Sequence, residues 1–235
     1  MSLLQNSNAV TPVSSGFELK SVRFDGSDAY LERTFPTAGN RRTYTLSVWV
    51  KRGNLAQTNP QVIFGSDDTT GASDTRSNYI SFQQAGGSYP DKLRSGSDAG
   101  AVNCATTAQF RDPSAWYHIV WVMDTPQATA ANRLKIYVNG VNQPFSSTSY
   151  PTQNMELGIN RAQKHRIGMN GYNTDNDIDG YMAEFYFIDG LALTPSYFAE
   201  TNEDTNQWQP TNPSTVKQAV TFGTNGFYLP FSNDA

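Results

Sequence analysis

Apolar residues recur along this chain with a period of two. Over Thr43–Lys51, Tyr44, Leu46, Val48 and Val50 fall on one face, and Thr45, Ser47, Trp49 and Lys51 on the other. Side chains alternate between faces only in extended chain, so this pattern predicts a strand. Trp116–Asp124 repeats it with a difference. Trp116, His118, Val120 and Val122 share one face, Tyr117, Ile119, Trp121 and Met123 the other, and both faces are apolar. A strand of that kind is covered on both sides. No window carries a sustained helical period, so the chain has to bury its apolar faces by packing sheet on sheet.

Arg133–Val138 alternates likewise and ends in Asn139-Gly140, a pair that tolerates positive φ and suits a tight hairpin. Gly180–Ile188 is a fourth long strand, with Met182 and Glu184 predicted to face opposite to Tyr181, Ala183 and Phe185. Shorter strands are predicted over 17–24, 29–33, 61–64, 78–84, 165–169 and 226–231. One short helix is expected near 195–200, where Thr194 is placed to cap and Pro195 takes the first helical position. The connections 65–77, 85–106 and 170–179 are long and rich in Gly, Ser, Thr, Asn and Asp. Long connections in a compact domain usually carry function. The expected division is an N-terminal arm at 1–15, one β-sandwich domain at 16–200 and a C-terminal extension at 201–235 packing on the same domain. A single all-β sandwich of this length is ordinary.

Charge narrows the function classes. Seventeen Lys and Arg against 21 Asp and Glu leave a net charge of −4, with only 16% charged residues. A phosphate-backbone binder needs clustered cations, so nucleic acid is not an expected partner. The mean hydropathy of −0.54 and the absence of an apolar run near 20 residues argue against a membrane span. One cysteine, Cys104, forms no internal disulfide and no Cys-based zinc site, and two histidines make a His-rich metal site unexpected. Met1–Asn6 lacks the basic and apolar regions of a signal peptide. The expectation is a protein made in a host cytoplasm and used without classical export.

Five segments, in order, resemble one family. Arg23–Leu31 looks like its opening strands and Thr45–Lys51 like its next long strand. Trp116-Tyr117-His118-Ile119 is similar to its central Trp-x-His-[Val/Ile] strand. Leu134–Gly140 is similar to its tyrosine–valine hairpin, and Gly180–Phe187 to its closing Gly-x-[Ile/Met]-x-Glu strand, with Leu193-Thr194-Pro195 following. The family is the laminin G-like, concanavalin A-like jelly roll, and the fold it implies is an all-β, two-sheet antiparallel β-sandwich. Glu184–Gly190, Leu193–Pro195 and Phe222–Leu229 further resemble laminin G-like domains of tailed-phage structural proteins.

Candidate sites follow from residues and resemblance together. Asp175-Asn176-Asp177-Ile178-Asp179-Gly180 has the form of a calcium loop, with carboxylates at alternate positions and a turn-forming Gly. It is not an EF-hand, since the twelfth position is Tyr186 and not Glu. The resemblance implies that calcium can bind in loops at the sandwich edge; a solvated acidic turn is the other reading. Related jelly-roll glycosidases carry a Glu-x-Asp-x-(x)-Glu strand. Here Glu184 stands without an acid two residues away and Asp189 falls near the turn, so neither pairs as catalysis requires. His118 reads as a hydrogen-bonded core residue. His165 lies beside Lys164 and Arg166 with no visible nucleophile, and Cys104 lacks a His partner. Tyr79, Phe82, Tyr89, Trp121 and Tyr172 are aromatics in or near loops and strand faces; of these Tyr79, Tyr89, Trp121 and Tyr172 are the candidate ligand-binding residues.

The expected function is that of a non-enzymatic virion structural protein: a head decoration, fibre or tail surface component. It would assemble as a homo-oligomer with other virion proteins through 1–15 and the C-terminal extension, and present its long loops. No cofactor is required, calcium being optional. The alternative is a soluble glycan-binding lectin module, calcium-assisted or not, and the third reading is a jelly-roll glycosidase.

Overall fold

The computed structural model describes residues 17–66, 77–97, 100–170 and 176–232. Two seven-stranded antiparallel sheets pack face to face. The first sheet runs β1 (Ser21–Asp25), β13 (Asp179–Asp189), β3 (Thr43–Arg52), β8 (Tyr117–Asp124), β9 (Leu134–Val138) and β10 (Val141–Asn142), with β16 (Phe227–Leu229) also on β13. The second runs β11 (Phe145–Ser149), β7 (Asn103–Thr106), β6 (Leu93–Ser97), β5 (Asn78–Phe82), β4 (Gln61–Ser66), β12 (Lys164–Ile167) and β2 (Leu31–Thr34). A small pair, β14 (Ala199–Thr201) and β15 (Trp208–Pro210), completes the strands.

The alternation read in the sequence sets the core. Tyr44, Leu46, Val48 and Val50 of β3 and Tyr117, Ile119, Trp121 and Met123 of β8 face inward onto Phe64, Ile80, Phe82 and Leu93. The opposite face of β8 is covered too, as its apolar pattern required. Val120 and Val122 pack with Tyr186, Ile188, Phe198, Val216 and Val220. The last of these belong to the C-terminal extension, which folds back over the outside of the first sheet.

Three expectations need correction. First, the helix near 195–200 is only a three-residue 3-10 turn, Pro195–Tyr197, whose Thr194 makes no side-chain cap. The α-helix, α1, is Pro213–Ala219, where the Asn212 side chain accepts a hydrogen bond from the Ser214 backbone N–H at 2.9 Å. Pro at the first helical position occurs in both segments, and the bonded cap separates them. Second, 85–106 is not one loop. It contains β6 and β7, whose Ser, Gly, Asn and Cys carry little strand signal but pair in register with β5 and β11. Third, Met182 and Glu184 do not share a face. The pairing of β13 with β3 slips by one residue between Ala183 and Tyr186, and Glu184 takes φ +49°. This bulge turns Phe185 and Phe187 into the core beside Met182, and leaves Glu184 on the outer side with Tyr186.

Candidate glycan-binding face

The outer face of the second sheet is built from rows of residues in register. One row runs Arg166, Gly65, Tyr79, Gly96, Asn103, Ser149 across β12, β4, β5, β6, β7 and β11. The neighbouring row places Ser81, Arg94, Ala105 and Ser147 together. Leu93 and Cys104 point into the core, so strand alternation sends Arg94 and Asn103 outward. Glycine gives the Tyr79 side chain its room. A Cβ at Gly96 would stand 2.9 Å from the Tyr79 hydroxyl and 3.0 Å from Arg94 Cζ, so the ring lies down over β6 beside the guanidinium.

A chain of hydrogen bonds fixes these groups. Arg94 Nη1 donates to the Tyr79 hydroxyl at 2.7 Å and Nε to Asn103 Oδ1 at 2.7 Å. Asn103 Nδ2 donates to the Tyr89 hydroxyl at 3.0 Å, which donates to Ser147 Oγ at 3.2 Å. Tyr89 comes from the connection between β5 and β6, which carries it back over β7 and β11. The Arg94 Cζ lies 5.6 Å from the Tyr79 ring centroid and 6.0 Å from that of Tyr89. Hydrogen bonds with Ser147 and Asn103, then the charges of Arg94 and Lys92, hold the Tyr89 phenol below its usual range. Tyr79, Tyr89, Arg94 and Asn103 are all partly exposed. The result is an aromatic, hydrogen-bonding surface held in one geometry before any ligand arrives.

The structure brings together two of the four candidate ligand residues, Tyr79 and Tyr89. Trp121 is a correction: it is fully buried between the sheets, edge-on to Tyr44 at 5.5 Å, and touches no surface. Phe82 is likewise core. Tyr172 lies outside the described residues. Arg94, Asn103 and Ser147 were missed because they sit on strands without an apolar period.

The acidic turn is only partly described, Asp175 lying outside. Asp177 is buried, and Asp179 receives Arg23 Nη2 at 2.6 Å. A cation there would have to take Asp179 from Arg23. Among the described residues no three His, Cys, Asp or Glu side chains are gathered as a metal site would need.

The remaining titratable candidates are structural. Glu184 is buried. Its carboxyl accepts from the Tyr228 hydroxyl at 2.9 Å and the Tyr186 hydroxyl at 3.1 Å, and burial pushes its pKa up to about 7. Among the described residues no second carboxylate is bonded to it or shifts its pKa, and Tyr228 of β16 lies over it. Asp189 accepts from the backbone N–H groups of Asn40 and Asn225 and from Asn160 Nδ2, tying three distant segments. Trp208 Nε1 donates to His118 Nδ1 at 3.1 Å, so the neutral ring carries its hydrogen on Nε2 and donates it to Ser47 Oγ at 2.8 Å. That tautomer cannot take a proton from Ser47, and burial pushes His118 down to about 3. His165 accepts from the Asn160 N–H and donates from Nδ1 to the Gln163 carbonyl. The Cys104 thiol is buried, with its pKa pushed up to about 12 by desolvation, which makes it unreactive.

Residues 25–197 match the laminin G family model of the concanavalin A-like lectin/glucanases superfamily, and the chain belongs to that superfamily. Among solved structures, the native heptameric SAP-like pentraxin from Limulus polyphemus is similar at 16% identity. That match covers 89% of this chain and 90% of the pentraxin, with a TM-score of 0.53. Domain 4 of an extracellular arabinanase from Geobacillus stearothermophilus, in complex with arabinotriose, matches at 22% identity over 75% of this chain and 84% of its own, TM-score 0.47. The CBM40 of the Ruminococcus gnavus IT-sialidase, bound to alpha2,3 sialyllactose, matches at 11% identity over 66% and 90%, TM-score 0.43. No curated protein matches in sequence. Among the described residues no helix is long and apolar enough to cross a membrane.

Proposed function

We propose that this protein is a non-catalytic, lectin-like module that binds carbohydrate on the outer face of β5, β6 and β7. The observation that carries this reading is the Tyr79–Arg94–Asn103–Tyr89–Ser147 chain on a partly exposed sheet face. Sugars present apolar C–H faces and a rim of hydroxyls. A ring lying along the sheet takes the first, and fixed amide and hydroxyl groups take the second. The non-catalytic part of the reading is supported by Glu184, which is sealed under the C-terminal extension and, among the described residues, is bonded to two tyrosines and to no acid. The test is a glycan array probed with the labelled protein. Binding to a defined set of glycans that falls at least tenfold in Tyr79→Ala and in Tyr89→Ala, with melting temperatures kept, is the expected result. No binding to any glycan, or binding that both substitutions spare, overturns the reading.

Placement on a virus particle, as a homo-oligomer docked on other virion proteins, is a separate proposal carried by the sequence resemblance. Glu184–Gly190 and Phe222–Leu229, which bear that resemblance, here pair with one another, the second segment lying partly exposed. Quantitative proteomics of gradient-purified particles tests it. Hundreds of copies per particle support a head decoration, a few dozen a tail component, and absence from the particles overturns it.

A further inference from the structure

Resting on the carbohydrate-binding reading, we infer that Arg94 makes this face selective for sugars that carry an anionic substituent, a carboxylate or a sulfate. In the Tyr79 row of this sheet face, Arg166 is matched by an acid, Glu32, at 2.9 Å. Arg94 is not. Its Nε and Nη1 are held by neutral acceptors, Asn103 and Tyr79, no described residue accepts from Nη2, and the residue as a whole is partly exposed. Among the described residues, the two bonds that fix the guanidinium therefore leave its charge without an acid and one edge donor without an acceptor.

The neighbours reinforce this. Lys92 adds a second cation, its Nζ bonded to the neutral Ser146 hydroxyl at 2.9 Å. The chain as a whole carries −4, so this face is no general attractor of anions and has to recognise them at short range. A neutral sugar gains only the stacking surface and neutral hydrogen bonds. An acid group set against Arg94 Nη2 adds a charge-assisted bond, and guanidinium donors favour carboxylate and sulfate oxygens. Gly96 belongs to the same device. A side chain there would push against both the Tyr79 hydroxyl and the Arg94 guanidinium.

The experiment is binding of the full chain to an array in which each neutral oligosaccharide is paired with its sialylated, uronic-acid-ended and sulfated counterparts. At least one acidic member is expected to bind roughly tenfold or more above its neutral parent, the scale of one added charge-assisted bond. Arg94→Gln should bring that member down to the level of its parent, and Arg94→Lys, which keeps charge but loses the fork, should recover part of the gap. Rising salt should weaken the acidic members more than the neutral ones, a readout that needs no substitution. A preference for sulfate or for carboxylate supports the inference either way and identifies the substituent. Neutral parents bound as tightly as the acids, or a preference that survives Arg94→Gln, overturns it while the lectin reading stands. Binding to no glycan at all overturns both.

Discussion

The two outer faces of this sandwich have been finished in opposite ways. On the first sheet, Val120, Val122, Tyr186 and Ile188 are covered by Phe198 and by Val216 and Val220 of the C-terminal extension, and Glu184 is sealed beneath Tyr228. On the second sheet the corresponding surface carries Tyr79, Arg94 and Asn103 among glycines and serines, and it stays partly open. Apolar residues on a sheet face require a cover, because exposing them costs roughly 25 cal/mol per Å². The polar face needs none. The chain uses its C-terminal extension to close one face, and the other stays partly exposed among the described residues.

Substitutions on the two faces should therefore fail differently. The largest effect is expected inside the layers that seal the molecule. Trp121→Ala between the sheets and Phe198→Ala under the sealed face should each lose about 3–5 kcal/mol in urea unfolding, with any ligand binding lost only through unfolding. Tyr89→Ala on the open face should cost less than about 1 kcal/mol and abolish binding. Equal destabilisation on both faces would break the comparison.

Glu184 sharpens it through pH. Burial raises its folded pKa from 4.5 to about 7, so the folded state favours the protonated form. Its contribution is full below about pH 4.5 and is lost as pH rises through about 7. The buried His118 and His165 act with the opposite sign, losing stability as pH falls below their ordinary value of 6.5. The readout is therefore the difference between Glu184→Gln and the parent chain. The variant should be nearly equal at pH 4.5 and more stable at pH 8 by on the order of 2 kcal/mol. A difference independent of pH would show that the sealed face does not hold its carboxyl in this way.

The smallest effect concerns the acidic turn. Arg23 already neutralises Asp179 at 2.6 Å. Millimolar calcium should leave the melting temperature unchanged, whereas a site that binds it would raise the melting point by mass action. A calcium-dependent rise in melting temperature would break this assignment and place an ion in the acidic turn.

The long alternating strands were legible before any coordinates. β3 and β8 fall where alternation places them, with the expected residues on each side, because periodicity reports burial directly. β6 and β7 were not legible. Their Ser, Gly, Asn and Cys are stabilised by pairing with strands distant in sequence, and local pattern carries no trace of a distant partner. Trp121 and Tyr79 were equal candidates as aromatics; only the face of its strand on which each falls made one core and the other surface.

By itself, the sequence determined that this chain is an all-β sandwich with one strand covered on both sides. Tertiary structure decided which face is sealed and which is open. A one-residue bulge turned Glu184 outward and Phe185 inward, reversing what strict alternation requires. Strand register then set Arg94 between two tyrosines, one on the neighbouring strand and one on the connecting loop. Register is fixed by the summed pairing of whole sheets, so no short window of sequence contains it.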